Sequence, residues 1–149
     1  MALRLRKGLT IRILLFCLTG VLLLPTVASA DMAVYKSGSR WATIDSDGDV
    51  YVGGSKVGQI DSTGDVYVHG SRAGQIESDG DLYDGGSKVG QVDEDGNIYI
   101  SGSKVGQIDS GGAIYREGSK WGSADNCCST PEAARWVAAL LYFFDSDFF

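Results

Sequence analysis

YVGGSKVGQIDSTGDV (51–66), YVHGSRAGQIESDGDL (67–82), YDGGSKVGQVDEDGNI (83–98) and YISGSKVGQIDSGGAI (99–114) are four consecutive copies of one 16-residue unit. A looser copy, YKSGSRWATIDSDGDV (35–50), precedes them, and YREGSKWGSADN (115–126) follows and stops before its acidic turn. Tyrosine therefore recurs at 35, 51, 67, 83, 99 and 115 without an insertion. A fixed period of this kind marks an architecture built by repeating one supersecondary unit. Both end copies carry tryptophan, Trp41 and Trp121, where the inner copies have Val57, Ala73, Val89 and Val105.

Each unit holds two turn signals, Gly-Ser and Asp-x-x-Gly, separated by short stretches rich in Val, Ile and Tyr. That is the pattern of consecutive β-hairpins. With Ser62-Thr63-Gly64 as a three-residue loop and Gly64 left-handed, Ile60 pairs with Val66 and Gln59 with Tyr67. A second such loop at Gly53-Gly54-Ser55 pairs Tyr51 with Val57 and Val50 with Gly58. Val50, Val52, Gly58 and Ile60 then share one face, and Tyr51, Val57 and Gln59 the other; a one-residue slip would invert the faces. About twelve strands of roughly four to six residues follow, each about 15 to 20 Å long. An open meander would leave two bare edges, so the expected fold is all-β, a closed ring or shallow barrel of antiparallel strands. The alternative at this period is a β-solenoid; a propeller blade needs about 40 residues.

On either side of the repeat the composition changes. Residues 1–30 read as a signal peptide, with Arg4, Arg6, Lys7 and Arg12 in a basic region, an apolar run from Ile13 to Leu24, and Ala28-Ser29-Ala30 as the cleavage site. The expected β-hairpin repeat domain is 31–125, and 126–149 is an apolar helix with an aromatic tail. Ser129-Thr130-Pro131-Glu132 supplies a hydroxyl cap, a proline where its missing N–H costs nothing, and a first-turn acid. Ala133–Phe144 has Arg135 as its only charge, so it should be buried on all sides. From Pro131 to Phe144 it would span about 21 Å, close to the height of the ring and too short to cross a membrane. It is expected inside or across the ring; its rival is an interfacial helix dipping Phe143, Phe144, Phe148 and Phe149 into lipid.

Residues 31–149 hold nine basic and nineteen acidic residues, a net charge of −10, which argues against a nucleic-acid partner. The leader implies a secreted, periplasmic or cell-envelope location. Cys127 and Cys128 are adjacent and cannot staple distant parts of the fold. They read as two thiols or a local bridge, with an intermolecular disulfide as the rival.

The short G-S-[KR]-x-G-Q-I-D-x-x-G-x-V-Y hairpins behind a signal peptide resemble those of the β-flower proteins, over roughly residues 33–124. That resemblance implies a shallow symmetric ring of hairpin petals, in proteins with no general activity established. The petal number is five or six, because the Gly-Ser-basic turn occurs six times and the complete acidic turn five times. A more distant likeness to Tubby-like C-terminal domains, a twelve-stranded barrel around an apolar C-terminal helix, implies phosphoinositide or lipid binding, although no Tubby motif is present.

Alternating turns along a meander must lie at opposite ends of the strands, which sorts the charges. Arg40, Lys56, Arg72, Lys88, Lys104 and Lys120 form a cationic rim, a candidate site for anionic headgroups or polysaccharide. Against that stands their use as solubilising charge that protects loops and edges. The opposite rim carries Asp45, Asp47, Asp49, Asp61, Asp65, Glu77, Asp79, Asp81, Asp93, Glu94, Asp95 and Asp109. Calcium is a weak expectation there. Glycine comes fourth, where an EF-hand wants it sixth with a bidentate Glu at twelve, and Asp-x-x-Gly suits a tight turn regardless. No cofactor is expected otherwise. His69 is the only histidine and reads as a loop residue, and no nucleophile motif is present. The expectation is therefore a non-enzymatic structural or binding module. A binder of anionic lipid, a membrane surface or an envelope component ranks second, and a glycan hydrolase using the acidic rim a distant third.

Overall fold

A computed structural model describes residues 31–149; the expected leader, 1–30, lies outside them. The chain forms six antiparallel hairpins, β1 (Met32–Lys36), β2 (Ser39–Ile44), β3 (Asp49–Val52), β4 (Ser55–Ile60), β5 (Asp65–Val68), β6 (Ser71–Ile76), β7 (Asp81–Asp84), β8 (Ser87–Val92), β9 (Asn97–Ile100), β10 (Ser103–Ile108), β11 (Ala113–Arg116) and β12 (Ser119–Asp125). Consecutive strands pair throughout, and β12 pairs with β1 to close a twelve-stranded barrel. The expected all-β closed ring is the fold, and the solenoid alternative falls. The ring is built of six hairpins. Where the last copy lacks an acidic turn, the barrel is closed by pairing of Ala33 with Asp125, and the Asn126 side-chain amide donates to the Asp31 carbonyl at 3.1 Å.

The acidic turns adopt the expected register, with Ile60 opposite Val66 and Gln59 opposite Tyr67. Gly64 has φ +85°, and a Cβ there would run into the Ile76 carbonyl of the next hairpin, so the turn needs glycine twice over. The other turn differs from expectation. Val52 pairs with Ser55 and Tyr51 with Lys56, which leaves a two-residue Gly53-Gly54 turn with φ of +58° and +84°, the primed geometry that matches strand twist. Val57 is the extra residue of a β-bulge, so Val50 still faces Gly58 and the inner face comes out as expected, whereas Val57, expected beside Tyr51 and Gln59, packs against the core. The bulge undoes the slip that the shorter turn would otherwise impose.

Two apolar rings line the barrel. Val34, Val50, Val66, Leu82, Ile98 and Ile114 form one, and Ile44, Ile60, Ile76, Val92, Ile108 and Ala124 the other. On the side of the two-residue turns lie Ala42, Gly58, Gly74, Gly90, Gly106 and Gly122, where the missing side chains open space for the end of the C-terminal helix α1 (Pro131–Phe144), which fills the barrel. Thr130 caps it as expected, its hydroxyl accepting from the Ala133 N–H. Val137 to Leu141 are consecutive and all buried, which covers the helix on every side. The helix starts at the acidic-turn end of the barrel, where Thr130 and Pro131 share an open cleft with Glu94, Asp95 and Asp109. It ends at the opposite mouth, where Phe144 packs over Gly58, Phe143 over Gly74 and Phe148 against Gly106. Cys127 and Cys128 form a local disulfide between β12 and the helix.

Candidate functional site

The side chains with chemistry to offer occupy three places: the mouth where the helix ends, the acidic turns, and the outer wall. At the mouth, one repeat position points inward in every copy and is filled by Lys36, Val52, Val68, Asp84, Ile100 and Arg116. Its variation follows the plug. Lys36 holds the buried Asp145 carboxylate at 2.9 Å, Arg116 donates to the Asp147 carbonyl at 2.6 Å, and the Tyr142 hydroxyl donates to Asp84 at 3.2 Å. Burial first, then the bond to Asp84, raises the Tyr142 pKa. Trp41 and Trp121 meet edge-on with centroids 5.9 Å apart, Trp121 packs on Phe148 at 5.2 Å, and the Lys36 ammonium lies over the Trp121 ring. The end-copy tryptophans thus build the seat of the C-terminal tail. Sequence reasoning missed this position, although the one inward site where an otherwise strict repeat varies was the available signal.

In the acidic turns the first aspartate serves the backbone. Asp61 Oδ1 accepts from the Thr63 and Asp65 N–H groups at 2.9 and 3.0 Å and from the Thr63 hydroxyl at 2.6 Å. The hydroxyl bond is the largest influence and, with the amide bonds added, lowers the Asp61 pKa against the upward push of burial, which ranks second. Asp45, Asp93 and Asp109 accept the same pair of amides. In the third turn Glu77, Asp79 and Asp81 bring carboxylate oxygens within 4.8 Å of one another. The Lys88 ammonium already sits on Asp81 at 2.6 Å, so this cluster contains its own cation.

The outer wall carries the six cations expected at the rim. Each lies beside a two-residue turn and opposite a half-buried tyrosine: Tyr35 with Arg40, Tyr51 with Lys56, Tyr67 with Arg72, Tyr83 with Lys88, Tyr99 with Lys104 and Tyr115 with Lys120. A glutamine column, Gln59, Gln75, Gln91 and Gln107, runs beside them. The cations do not form a uniform ring. Lys56 bonds Asp49 at 2.5 Å, Arg72 bonds Asp65 at 2.7 Å and Lys88 bonds Asp81 at 2.6 Å, each seven residues back along the same hairpin. In all three the hydrogen bond to the aspartate is the main cause of a raised pKa. The matching positions in the other copies are Ala33, Asn97 and Ala113. Accordingly Arg40 reaches only the Thr43 hydroxyl and Lys104 only the Gln107 amide oxygen, and among the described residues neither they nor Lys120 has a carboxylate partner. Asp49, Asp65 and Asp81, read from the sequence as rim acids, are partners of the wall cations.

No helix among the described residues is long and apolar enough to cross a membrane. No family model, curated protein or solved structure matches the chain. The fold and site define a plugged hairpin-repeat barrel with a cation and tyrosine array on its outer wall.

Proposed function

We propose that this protein is a non-enzymatic structural or binding module of the secreted or cell-envelope space, a six-petal member of the β-flower type that acts through its outer wall. The observation that carries the reading is the division of labour between the two faces. The inner face is committed to a helix buried on every side, while the outer face repeats tyrosine, cation and amide at one hairpin spacing. A regular display of small polar and aromatic groups suits contact with a repetitive partner better than capture of one small molecule. Reading residues 1–30 as a leader places that partner outside the cytoplasm.

The second reading, a membrane-surface binder, draws on the same cations and on Phe149, the one large hydrophobic residue left exposed among those described. Phe143, Phe144 and Phe148 pack into the barrel, which leaves that reading one aromatic contact.

The test is fractionation followed by co-sedimentation of the exported protein with envelope polymer and with anionic lipid vesicles. Recovery in the exported fraction and pelleting with envelope material is expected. Retention in the cytoplasm, or pelleting with neither material, would overturn the module reading, and pelleting with vesicles alone would favour the second.

A further inference from the structure

Three hairpins of the barrel, β9–β10, β11–β12 and β1–β2, are neighbours in the ring, and they are the three whose wall cations lack a carboxylate among the described residues. The remaining three, β3 to β8, are also contiguous and all neutralised. One half of the wall is therefore an unpaired cationic sector, and the cause is three substitutions in the repeat, Ala33, Asn97 and Ala113 in place of aspartate. Inside the sector the turn between β10 and β11 has Asp109 as its only acid, followed by Ser110-Gly111-Gly112, whereas the turns that flank the sector, at 45–49 and 93–97, hold three each.

We infer that the sector formed by Lys104, Lys120 and Arg40 with Tyr99, Tyr115 and Tyr35 binds an extended anionic polysaccharide. This rests on the module reading above and names its ligand class. Neighbouring cations are two strands apart, about 10 Å at the usual inter-strand spacing. They occur on β10, β12 and β2 and so spread over four of the twelve strand intervals of a closed barrel, a third of the way round. A flat bilayer touching a convex wall at the middle cation, Lys120, stands away from the other two. A flexible chain can follow the curve and meet all three. Between the charges the wall offers half-buried tyrosine rings and the hydrogen-bonding side chains of Thr43, Gln107 and Ser123, which suit sugar faces and hydroxyls. The net charge of −10 over residues 31–149 and the acidic turns repel the dense phosphate of nucleic acid, while carboxylates spaced along a glycan ask for only a few separated cations.

The experiment uses the exported protein at low salt, with polygalacturonate as probe, neutral dextran of similar length as control, and affinity electrophoresis as readout. The Arg40→Gln, Lys104→Gln, Lys120→Gln triple variant is expected to weaken binding at least tenfold. The Lys56→Gln, Arg72→Gln, Lys88→Gln triple is expected to change it less than twofold. The Ala33→Asp, Asn97→Asp, Ala113→Asp variant keeps every cation but supplies the missing partners, and is expected to lose binding to the same extent, with thermal melting verifying that each variant is folded. Equal binding of dextran, equal loss in both glutamine triples, or unchanged binding in the aspartate variant would overturn the inference. Tighter binding to anionic vesicles or single-stranded DNA than to polygalacturonate would also overturn it. Envelope co-sedimentation that survives in the aspartate variant would leave the module reading standing and remove this sector from it.

Discussion

At Gly58 an added methyl group would lie 2.6 Å from the Phe144 ring and press on the Tyr67 carbonyl of the neighbouring strand. Gly106 is the roomier site of the same ring, with the nearest Phe148 atoms at 3.3 Å. Gly58→Ala is therefore expected to destabilise by at least the about 1–3 kcal/mol typical of overpacking, and Gly106→Ala by clearly less, in a denaturant titration. A second residue-scale expectation concerns acid. The Asp61 pKa is depressed in the folded state, so its stabilisation is present above the ordinary carboxylate value of 3.8 and is lost as pH falls through the lower folded value. Asp61→Asn should lower the melting temperature near neutral pH, and the gap from the parent should narrow steadily as pH is taken below that value. A constant gap would show that the charge of Asp61 contributes nothing. The Asp-x-x-Gly turn was fully legible because its register depends on a few adjacent residues. The Gly-Ser turn was misplaced by one residue because a bulge at Val57, invisible to turn chemistry, restores the facing that the misreading also produced.

Among the elements, the helix was the most legible and its seat the least. Its cap, its start and its all-round burial follow from local sequence, whereas the contacts that hold its end depend on which hairpin lies under which residue. Lys36 and Asp145 are 109 residues apart and meet only because β1 closes the ring beside the mouth. Lys36→Met leaves the Asp145 carboxylate buried without its cation. The expected loss is about 2–3 kcal/mol by chemical denaturation, below the roughly 3–5 kcal/mol for breaking a fully buried pair, because Lys36 keeps a third of its side chain in water. Deleting residues 129–149 removes the helix from inside the two apolar rings, and the product is expected to lose cooperative thermal unfolding. A deletion product that melts cooperatively near the parent temperature would show that the barrel stands without its plug. The wall ion pairs are exposed on their cationic side and are expected to add little to stability. What they decide is which cations remain available.

For the whole molecule, strand number and plug must match, since barrel width grows with the number of strands. Excising one full unit, residues 67–82, keeps every turn intact but narrows the ring to about ten strands. The aromatic end of the helix should no longer fit, and rapid proteolysis within 131–149 and loss of the near-ultraviolet aromatic dichroism are expected. Protection equal to the parent's would show that the ring adapts to the plug. The cationic sector belongs to this scale too. Asp49, Asp65 and Asp81 occur seven residues before their cations in the sequence, a spacing with no meaning until the two-residue turn and the bulge bring the positions together.

The amino-acid sequence alone determined the period, the hairpins, the acidic-turn register, the closed all-β class and the capped, buried helix, because each depends on residues near one another or on strict repetition. Tertiary structure decided the number of hairpins in the ring, the seating of Phe143, Phe144 and Phe148 against glycines, the mouth contacts of Lys36, Asp84 and Arg116, and the split of the wall into paired and unpaired halves. Those features arise where residues far apart in the chain meet across a closed ring, and closure fixes such meetings only once every hairpin is in place.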